Sequence, residues 1–130
     1  MSTDNLELIR RGYDAFSHGD VATVLEVLDP EISWHVPGRT PLSGDYNGHD
    51  AVVGFFVKTQ ELAAGSFSIE IDDMLAGGDR VVVLCTVSAQ RPGQEWSSPE
   101  VHVWRVSNGR AVEFREYQGD QQGEDEFWSR

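Results

Sequence analysis

Two histidines and one glutamate are the side chains best suited to moving protons in this sequence. His35 follows Trp34 in a short alternating segment, and His102 lies between two valines in a longer one. Neutral imidazole acts as a general base near neutral pH because its unperturbed pKa is about 6.5. We expect His35 to be a catalytic base. The structural alternative is a histidine that is hydrogen-bonded at a strand end and takes no part in chemistry.

His102 and Glu116 are predicted to form a second polar group. Residues 100–118 are typical of two strands joined by a tight turn at Asn108-Gly109. Alternation puts His102 and Glu116 on one face, where a carboxylate would orient the imidazole or raise its basicity. Both are therefore predicted catalytic residues. A cross-strand contact that only stabilises the sheet is the alternative.

Aromatic side chains are predicted to surround these groups and to wall a pocket for a flat, apolar ligand. Gln118 is able to donate a hydrogen bond to a ligand carbonyl, although a solvated edge position fits it equally well. Tyr13 offers a hydroxyl, but its spacing within a helical apolar stripe favours core packing. Most aromatic residues belong to the core, so we expect only two or three to touch a cavity among Trp34, Phe55, Phe56, Trp104 and Phe114.

No cofactor and no metal ion are predicted. Two histidines and a glutamate can form a facial triad, but no HxH, HxxxH or HExxH spacing occurs. The glycines match no phosphate-binding motif, so a nucleotide cofactor is not implied. Cys85 lies in an apolar run and is expected to be a buried, inert thiol. As the single cysteine, it excludes an internal disulfide.

Three helices are predicted to precede most of the strands. Apolar residues recur every three or four positions in the first helix, which ends at Gly19. The second helix is stopped by Asp29-Pro30, and the third runs from Asn47-Gly48 to Gly65. Between the last two helices, residues 31–36 alternate as a short strand, and residues 39–46 have the composition of a loop.

After Gly65 the apolar period changes to two, which predicts a four-stranded antiparallel meander. Helices followed by such a meander give an α+β architecture. Residues 121–130 are an acidic C-terminal tail, with Phe127-Trp128 able to dock on the body. The predicted strands begin near Phe67 and cover residues 67–71, 80–91, 96–106 and 110–118.

Length and charge restrict the function further. The 130 residues are expected to form one domain, 1–130. Ten basic against 22 acidic side chains give a net charge of −12, which disfavours nucleic acid as a partner. The longest apolar run, Val81 to Cys85, is far shorter than the roughly 20 residues of a membrane span. No signal peptide is recognised, and the expected location is the cytoplasm.

Four segments resemble the nuclear transport factor two-like superfamily, which includes ketosteroid isomerases and SnoaL-type polyketide cyclases. The resemblance implies a cone-shaped, curved antiparallel sheet with three N-terminal-half helices packed on its concave side. This is the cystatin-like α+β roll. The segments are Tyr13 to Asp20, Leu28 to His35, Gly48 to Val52 and Trp104 to Arg110.

The matching positions depart from the isomerases and come nearer to the cyclases. Where the isomerases have a carboxylate base this chain has His35, and where they have a protonated aspartate it has His102. Their oxyanion-hole tyrosine falls at Gly12, beside Tyr13. These differences argue against steroid isomerisation. The cyclases place a histidine on the penultimate strand and an acidic residue on the last, which resembles His102 with Glu116. Such residues would abstract a proton next to a carbonyl and reprotonate the aldol oxygen.

The expected function is binding of a small apolar molecule that bears a carbonyl. The chemistry would be cofactor-free acid/base work of the isomerase, cyclase or dehydratase kind. A non-catalytic ligand-binding or carrier domain with the same pocket is the alternative. Val101, Val103 and Tyr117 would leave apolar area on the outer sheet face, so we expect a homodimer through that face.

Overall fold

The computed structural model describes residues 2–129, which form four helices and a six-stranded sheet. Met1 and Arg130, the ends of the predicted domain, lie outside the described residues. In chain order the elements are α1 (Ser2–Ser17), α2 (Val21–Val27), β1 (Leu28–Val36), β2 (Gly44–Asn47), α3 (His49–Ala63), β3 (Ser68–Gly77), β4 (Arg80–Arg91), β5 (Gln94–Ser107), β6 (Arg110–Gln118) and α4 (Gln121–Ser129).

Helix α2 ends earlier than its apolar spacing predicts. Asp20 caps its start by accepting a hydrogen bond from the Thr23 amide at 3.1 Å. The stripe predicts a helix up to Asp29-Pro30, but α2 stops at Val27 and Leu28 is extended, with φ −88° and ψ 134°. Leu28 is buried and pairs with Ala111 of β6. Pairing with the sheet has therefore replaced the last helical turn.

The curved sheet has the strand order β2-β1-β6-β5-β4-β3. Strands β3 to β6 form the predicted antiparallel meander. Two strands extend it: β1 runs parallel to β6, and β2 pairs antiparallel with β1 at the edge. The expectation of a wholly antiparallel sheet is wrong in this one pair. The last residues of the predicted loop 39–46 belong to β2. The sequence did not indicate this strand, because a four-residue strand is too short to show alternation.

A β-bulge sets the register of the last hairpin. Asn108 and Gly109, with φ of 53° and 75°, form the predicted tight turn. Counted back from the Ser107–Arg110 pair without an insertion, His102 would lie opposite Arg115. A register shift between residues 105 and 106 instead places His102 opposite Glu116.

The acidic C-terminal segment is helical rather than irregular. Phe127 and Trp128 of α4 are 4% and 3% exposed. They pack with Leu42, Ala63 and Ala89 in a small apolar cluster beside the main core. The Arg91 guanidinium donates a hydrogen bond to the Phe127 carbonyl at 2.6 Å. The expectation that Phe127-Trp128 docks on the body is confirmed.

The main core lies between α1, α2, α3 and the inner face of the sheet. Ile9 of α1 and Val24 of α2 are buried there against alternate residues of β4, such as Val81 and Val83. Because successive side chains alternate, one set of side chains on β4, β5 and β6 points into the core and the other set points outward. None of the helices within residues 2–129 combines the length and hydropathy needed to cross a membrane.

Candidate functional site

A cavity of about 70 Å³ lies within the main core. This volume exceeds the roughly 10–15 Å³ that one water molecule needs, and it suits a small organic group. Its lining is apolar apart from a few groups, of which Tyr13, Glu100, His102 and Glu116 are able to exchange a proton. The aromatic residues that line it are Tyr13, Phe16, Trp34, Phe55, Phe56, Phe67, Trp104 and Phe114. More aromatic side chains therefore line the cavity than the two or three expected.

A directional chain of hydrogen bonds fixes the tautomer of His102. The Trp104 indole can only donate, and it donates to the Tyr13 hydroxyl oxygen at 2.9 Å. With its oxygen accepting from Trp104, the Tyr13 hydroxyl has its own hydrogen available for His102 Nδ1, which lies 2.5 Å away, and we assign this direction. The imidazole therefore carries its proton on Nε2, and Nε2–H donates to Glu100 Oε1 at 2.8 Å. The predicted His102 partner, Glu116, is its register neighbour but not its hydrogen-bond partner.

Gln118 joins two carboxyl groups. Its amide nitrogen lies 2.6 Å from Glu100 Oε2 and 2.8 Å from Glu116 Oε2. Glu100 and Gln118 are register partners on β5 and β6, as are His102 and Glu116. Both N–H groups of Gln118 are thus occupied by protein carboxyls, and the residue does not line the main cavity. The structure places Gln118 behind the carboxyl pair rather than at a ligand carbonyl.

Burial is the main cause of the unusual pKa values at this site. It lowers the pKa of His102 to about 4, partly opposed by the charge of Glu116. It raises the pKa of Glu100 to about 7 and that of Glu116 to about 8, with the charge of Glu100 adding to the second shift. Burial also raises the pKa of Tyr13 well above its usual value.

These shifts define the charges at neutral pH. His102 and Tyr13 are neutral, Glu116 holds its proton, and Glu100 is close to half ionised. The contact between His102 and Glu100 is therefore a hydrogen bond from a neutral imidazole and not an ion pair. The charge of Glu116 acts in the expected direction, towards a more basic His102, but the cost of burying an imidazolium is larger and the pKa of His102 falls overall.

A second, smaller cavity of about 30 Å³ lies between the carboxyl pair and α4. It is lined by Glu100, Glu116, Gln118 and Glu124, among others. Burial raises the pKa of Glu124 to about 9, and the charges of Glu116 and Glu100 add to this shift. Glu124 is 2% exposed, and its Oε2 has no hydrogen-bond partner within residues 2–129. Three carboxyl groups thus share one buried region.

Two overlapping groups of side chains have metal-ligating atoms within 4.8 Å of one another. One contains Cys85, Glu100 and His102, and the other contains Glu100, Glu116 and Glu124. Cys85 is a buried free thiol, as expected, and burial raises its pKa to about 12. The facial triad considered from the sequence needs His35, and His35 is in neither group.

The structure does not bring His35 to the cavity. Trp34 and Val36 point into the core, so His35 between them takes the opposite face of β1. Its Nδ1 lies 2.5 Å from Asp45 Oδ1 of the edge strand, and its side chain is 34% exposed. The hydrogen-bonded histidine weighed as the structural alternative is what the structure shows. The other predicted pocket residues, Tyr13, Trp34, Phe55, Trp104 and Phe114, all line the cavity.

Glu100 is the site residue that the sequence analysis missed. It lies two residues before His102 on β5, so alternation alone puts the two side chains on one face. That signal was present in the sequence. Glu100 ends the polar half of β5, residues 94–100, where a glutamate resembles any solvated residue. Only its 5% exposure distinguishes it.

Comparison with known families decides the classification. A family model of the SnoaL-like domain matches residues 9–114. The chain belongs to the SnoaL-like family. The match begins in α1 and ends in β6, so it includes Tyr13, Glu100 and His102 but stops before Glu116.

Similar proteins agree with this classification and with the nuclear transport factor two-like fold. An uncharacterised protein of Mycobacterium tuberculosis is 29% identical over 126 residues, which is 96% of each chain. Bal32a, from a soil-derived mobile gene cassette, is 34% identical with a TM-score of 0.94 over 98% of each chain. An NTF2-like protein of unknown function from Burkholderia pseudomallei is 32% identical with a TM-score of 0.81, over 88% of this chain and 90% of that one. This SnoaL-like chain thus has the fold that its sequence resemblance implies.

Proposed function

We propose that this SnoaL-like chain binds a small, neutral, largely apolar molecule with a carbonyl group and performs cofactor-free acid/base chemistry on it. The observation that carries the proposal is the Glu100–Glu116 pair, joined by Gln118 on the wall of an otherwise apolar cavity. A mostly apolar cavity with a few convergent polar groups is the usual form of a small-molecule site.

Glu100 is the general base in this proposal. A general base works best when its pKa lies near the operating pH, and the pKa of Glu100 is about 7. Its carboxylate takes a proton from the carbon next to the ligand carbonyl. The C–H electron pair moves towards the carbonyl oxygen as an enolate forms. Neutral His102 is a positioning residue, because its Nε2–H holds one oxygen of that carboxylate.

Glu116 is the general acid. It keeps its proton at neutral pH because its pKa is about 8, and it passes that proton to the enolate oxygen to give an enol. When the ligand is a β,γ-unsaturated carbonyl compound, this enol is a dienol, so Glu100 can return its proton to the γ-carbon while the double bond shifts next to the carbonyl and Glu116 recovers the enol proton. The carbonyl is restored in an isomer, and the protein ends as it began. The same two groups serve a cyclisation in which the enolate carbon attacks a second carbonyl.

Hydrogen–deuterium exchange at a simple ketone tests this proposal. In D₂O, the wild-type protein should accelerate exchange of the α-protons of 2-butanone, followed by NMR. Glu100→Gln should lower that acceleration by about 100-fold or more, the usual contribution of a general base. Glu113→Gln is the control, because Glu113 is on β6 with Glu116 but lines neither cavity. Binding without any exchange would identify the non-catalytic carrier, and absence of binding would refute the site.

We propose in addition that the protein is a homodimer through the outer face of the sheet. Two cross-strand rows of apolar side chains lie there, which we name the outer-face patch. Its members include Leu75, Leu84 and Tyr117, which are 54%, 36% and 51% exposed. Contiguous exposed apolar area of this kind favours association with a two-fold mate. The rows are Leu75–Val82–Val103 and Leu84–Val101–Tyr117.

A further inference from the structure

A surface groove between α2 and α3 adjoins the main cavity. It has a volume of about 410 Å³, against about 70 Å³ for the cavity. Val21 of α2 and Val57 of α3 line it and are 42% and 51% exposed. Gln60 and Glu61 supply its polar lining. The groove is therefore larger than the cavity and mainly apolar.

Two aromatic rings separate the groove from the cavity. Phe16, Val24 and Phe56 line both spaces, so one layer of side chains is all that stands between them. The Phe16 and Phe56 rings meet edge-on with centroids 5.3 Å apart. Both side chains are only half-buried. A molecule that extends from one space into the other would have to displace one of these rings.

We infer that the groove holds the apolar tail of the ligand whose carbonyl group lies in the cavity beside Glu100 and Glu116. The substrate class is then an elongated, neutral molecule with a carbonyl head and a hydrocarbon tail. This inference rests on the proposed function and deepens it. A cavity of about 70 Å³ accepts a small head group, and a longer molecule has to continue past the Phe16–Phe56 pair.

The charges around the site favour a neutral head over an anionic one. Glu100, Glu116 and Glu124 gather their carboxyl groups in one buried region, and Glu61 lies in the groove. A fatty-acid carboxylate would bring a negative charge into this buried region, which the loss of hydration and repulsion by ionised Glu100 both disfavour. A ketone or aldehyde brings none.

Binding of 2-alkanones of increasing length, from 2-butanone to 2-dodecanone, tests the inference. Quenching of tryptophan fluorescence reports binding, since Trp34 and Trp104 line the cavity. Affinity should rise about fourfold for each methylene placed in the groove, as transfer of a CH₂ from water predicts. Val57→Asp should abolish this gain. Val21→Asp, on the opposite wall, should do the same, and a carboxylate at the first position of α2 suits a helix start.

Lys58→Asp is the matched control. Lys58 is exposed, follows Val57 on α3 and lines neither space, so the same new charge there should leave the rise with chain length intact. Equal gains in wild type and both groove variants would overturn the groove assignment while leaving the proposed function standing. If no ketone of any length binds the wild type, the proposed function itself fails.

Discussion

The Tyr13 hydroxyl and the His102 imidazole lie 2.5 Å apart, from Oη to Nδ1, although 89 residues separate them in the chain. The planes of the two rings are nearly parallel, 7° apart, with centroids 5.9 Å apart. This contact ties the first helix to the fifth strand at the wall of the cavity. It also decides which nitrogen of His102 faces Glu100 with a proton.

The first prediction is that Tyr13→Phe destabilises the protein by roughly 2–6 kcal/mol. Without the hydroxyl, His102 Nδ1 loses its donor and Trp104 Nε1 loses its acceptor. Each buried polar group left without a partner costs about 1–3 kcal/mol. Urea unfolding measures the loss, and Tyr117→Phe is the control because it removes a tyrosine hydroxyl outside the main cavity and leaves the Tyr13–His102 contact intact. Equal stability of the two variants would contradict the relay.

The second prediction is that stability falls as pH rises from about 6.5 to 9. In the folded protein Glu100, Glu116 and Glu124 release their protons only near their pKa values of about 7, 8 and 9, so that in this range the folded state still binds some of these protons. Unfolded glutamates have already lost their protons, so the unfolded state binds fewer protons than the folded state. The free energy of unfolding therefore decreases as pH rises. His102 does not contribute here, because it is neutral in both states above about 6.5.

Glu116→Gln isolates one of these contributions. The variant should flatten the fall of unfolding free energy between pH 6.5 and 8 by up to about 1.4 kcal/mol per pH unit, the share of one group. Urea unfolding at several pH values measures it. Glu113→Gln, on the same strand, should leave the slope unchanged. If the Glu116→Gln curve runs parallel to that of the wild type, Glu116 is ionised throughout and cannot be the proposed acid.

The third prediction concerns His35. Its imidazole contacts Asp45 on a partly solvated face, where an ion pair contributes about 0–1 kcal/mol. His35→Ala should therefore leave α-proton exchange of 2-butanone at the wild-type rate and cost about 1 kcal/mol or less. NMR exchange and urea unfolding measure the two quantities. A large loss of exchange with normal stability would restore His35 as the base expected from the sequence.

The fourth prediction concerns the outer-face patch. Leu84→Asp should convert the proposed dimer to a monomer, because it puts a charge next to Val101, the middle residue of the apolar row Leu84–Val101–Tyr117. Sedimentation velocity at micromolar concentration distinguishes the two states. Val57→Asp, on α3 and outside the patch, should remain dimeric. A monomeric wild type, or a Leu84→Asp protein that stays dimeric, would refute this interface.

Local pattern was enough to place most elements. The bounds of β4 and β6 coincide with their predicted spans, 80–91 and 110–118, because regular alternation and Gly-containing turns are local signals. The C-terminal end of α2 and the edge strand β2 were not predictable in this way. Leu28 joins a strand because Ala111, far away in sequence, offers it a partner.

The candidate site also combines features that local sequence predicts with features that only the tertiary structure decides. The sequence by itself determined that Glu100, His102 and Trp104 would share one face of β5. It likewise determined that Phe114 and Glu116 would share one face of β6, because side-chain direction in a strand follows a period of two. Only the tertiary structure decided that His102 bonds to Glu100, that the bulge at residues 105–106 brings Glu116 opposite, and that His35 turns away. The pKa values also belong to the tertiary structure, since they arise from burial by helices and strands that are distant in the chain.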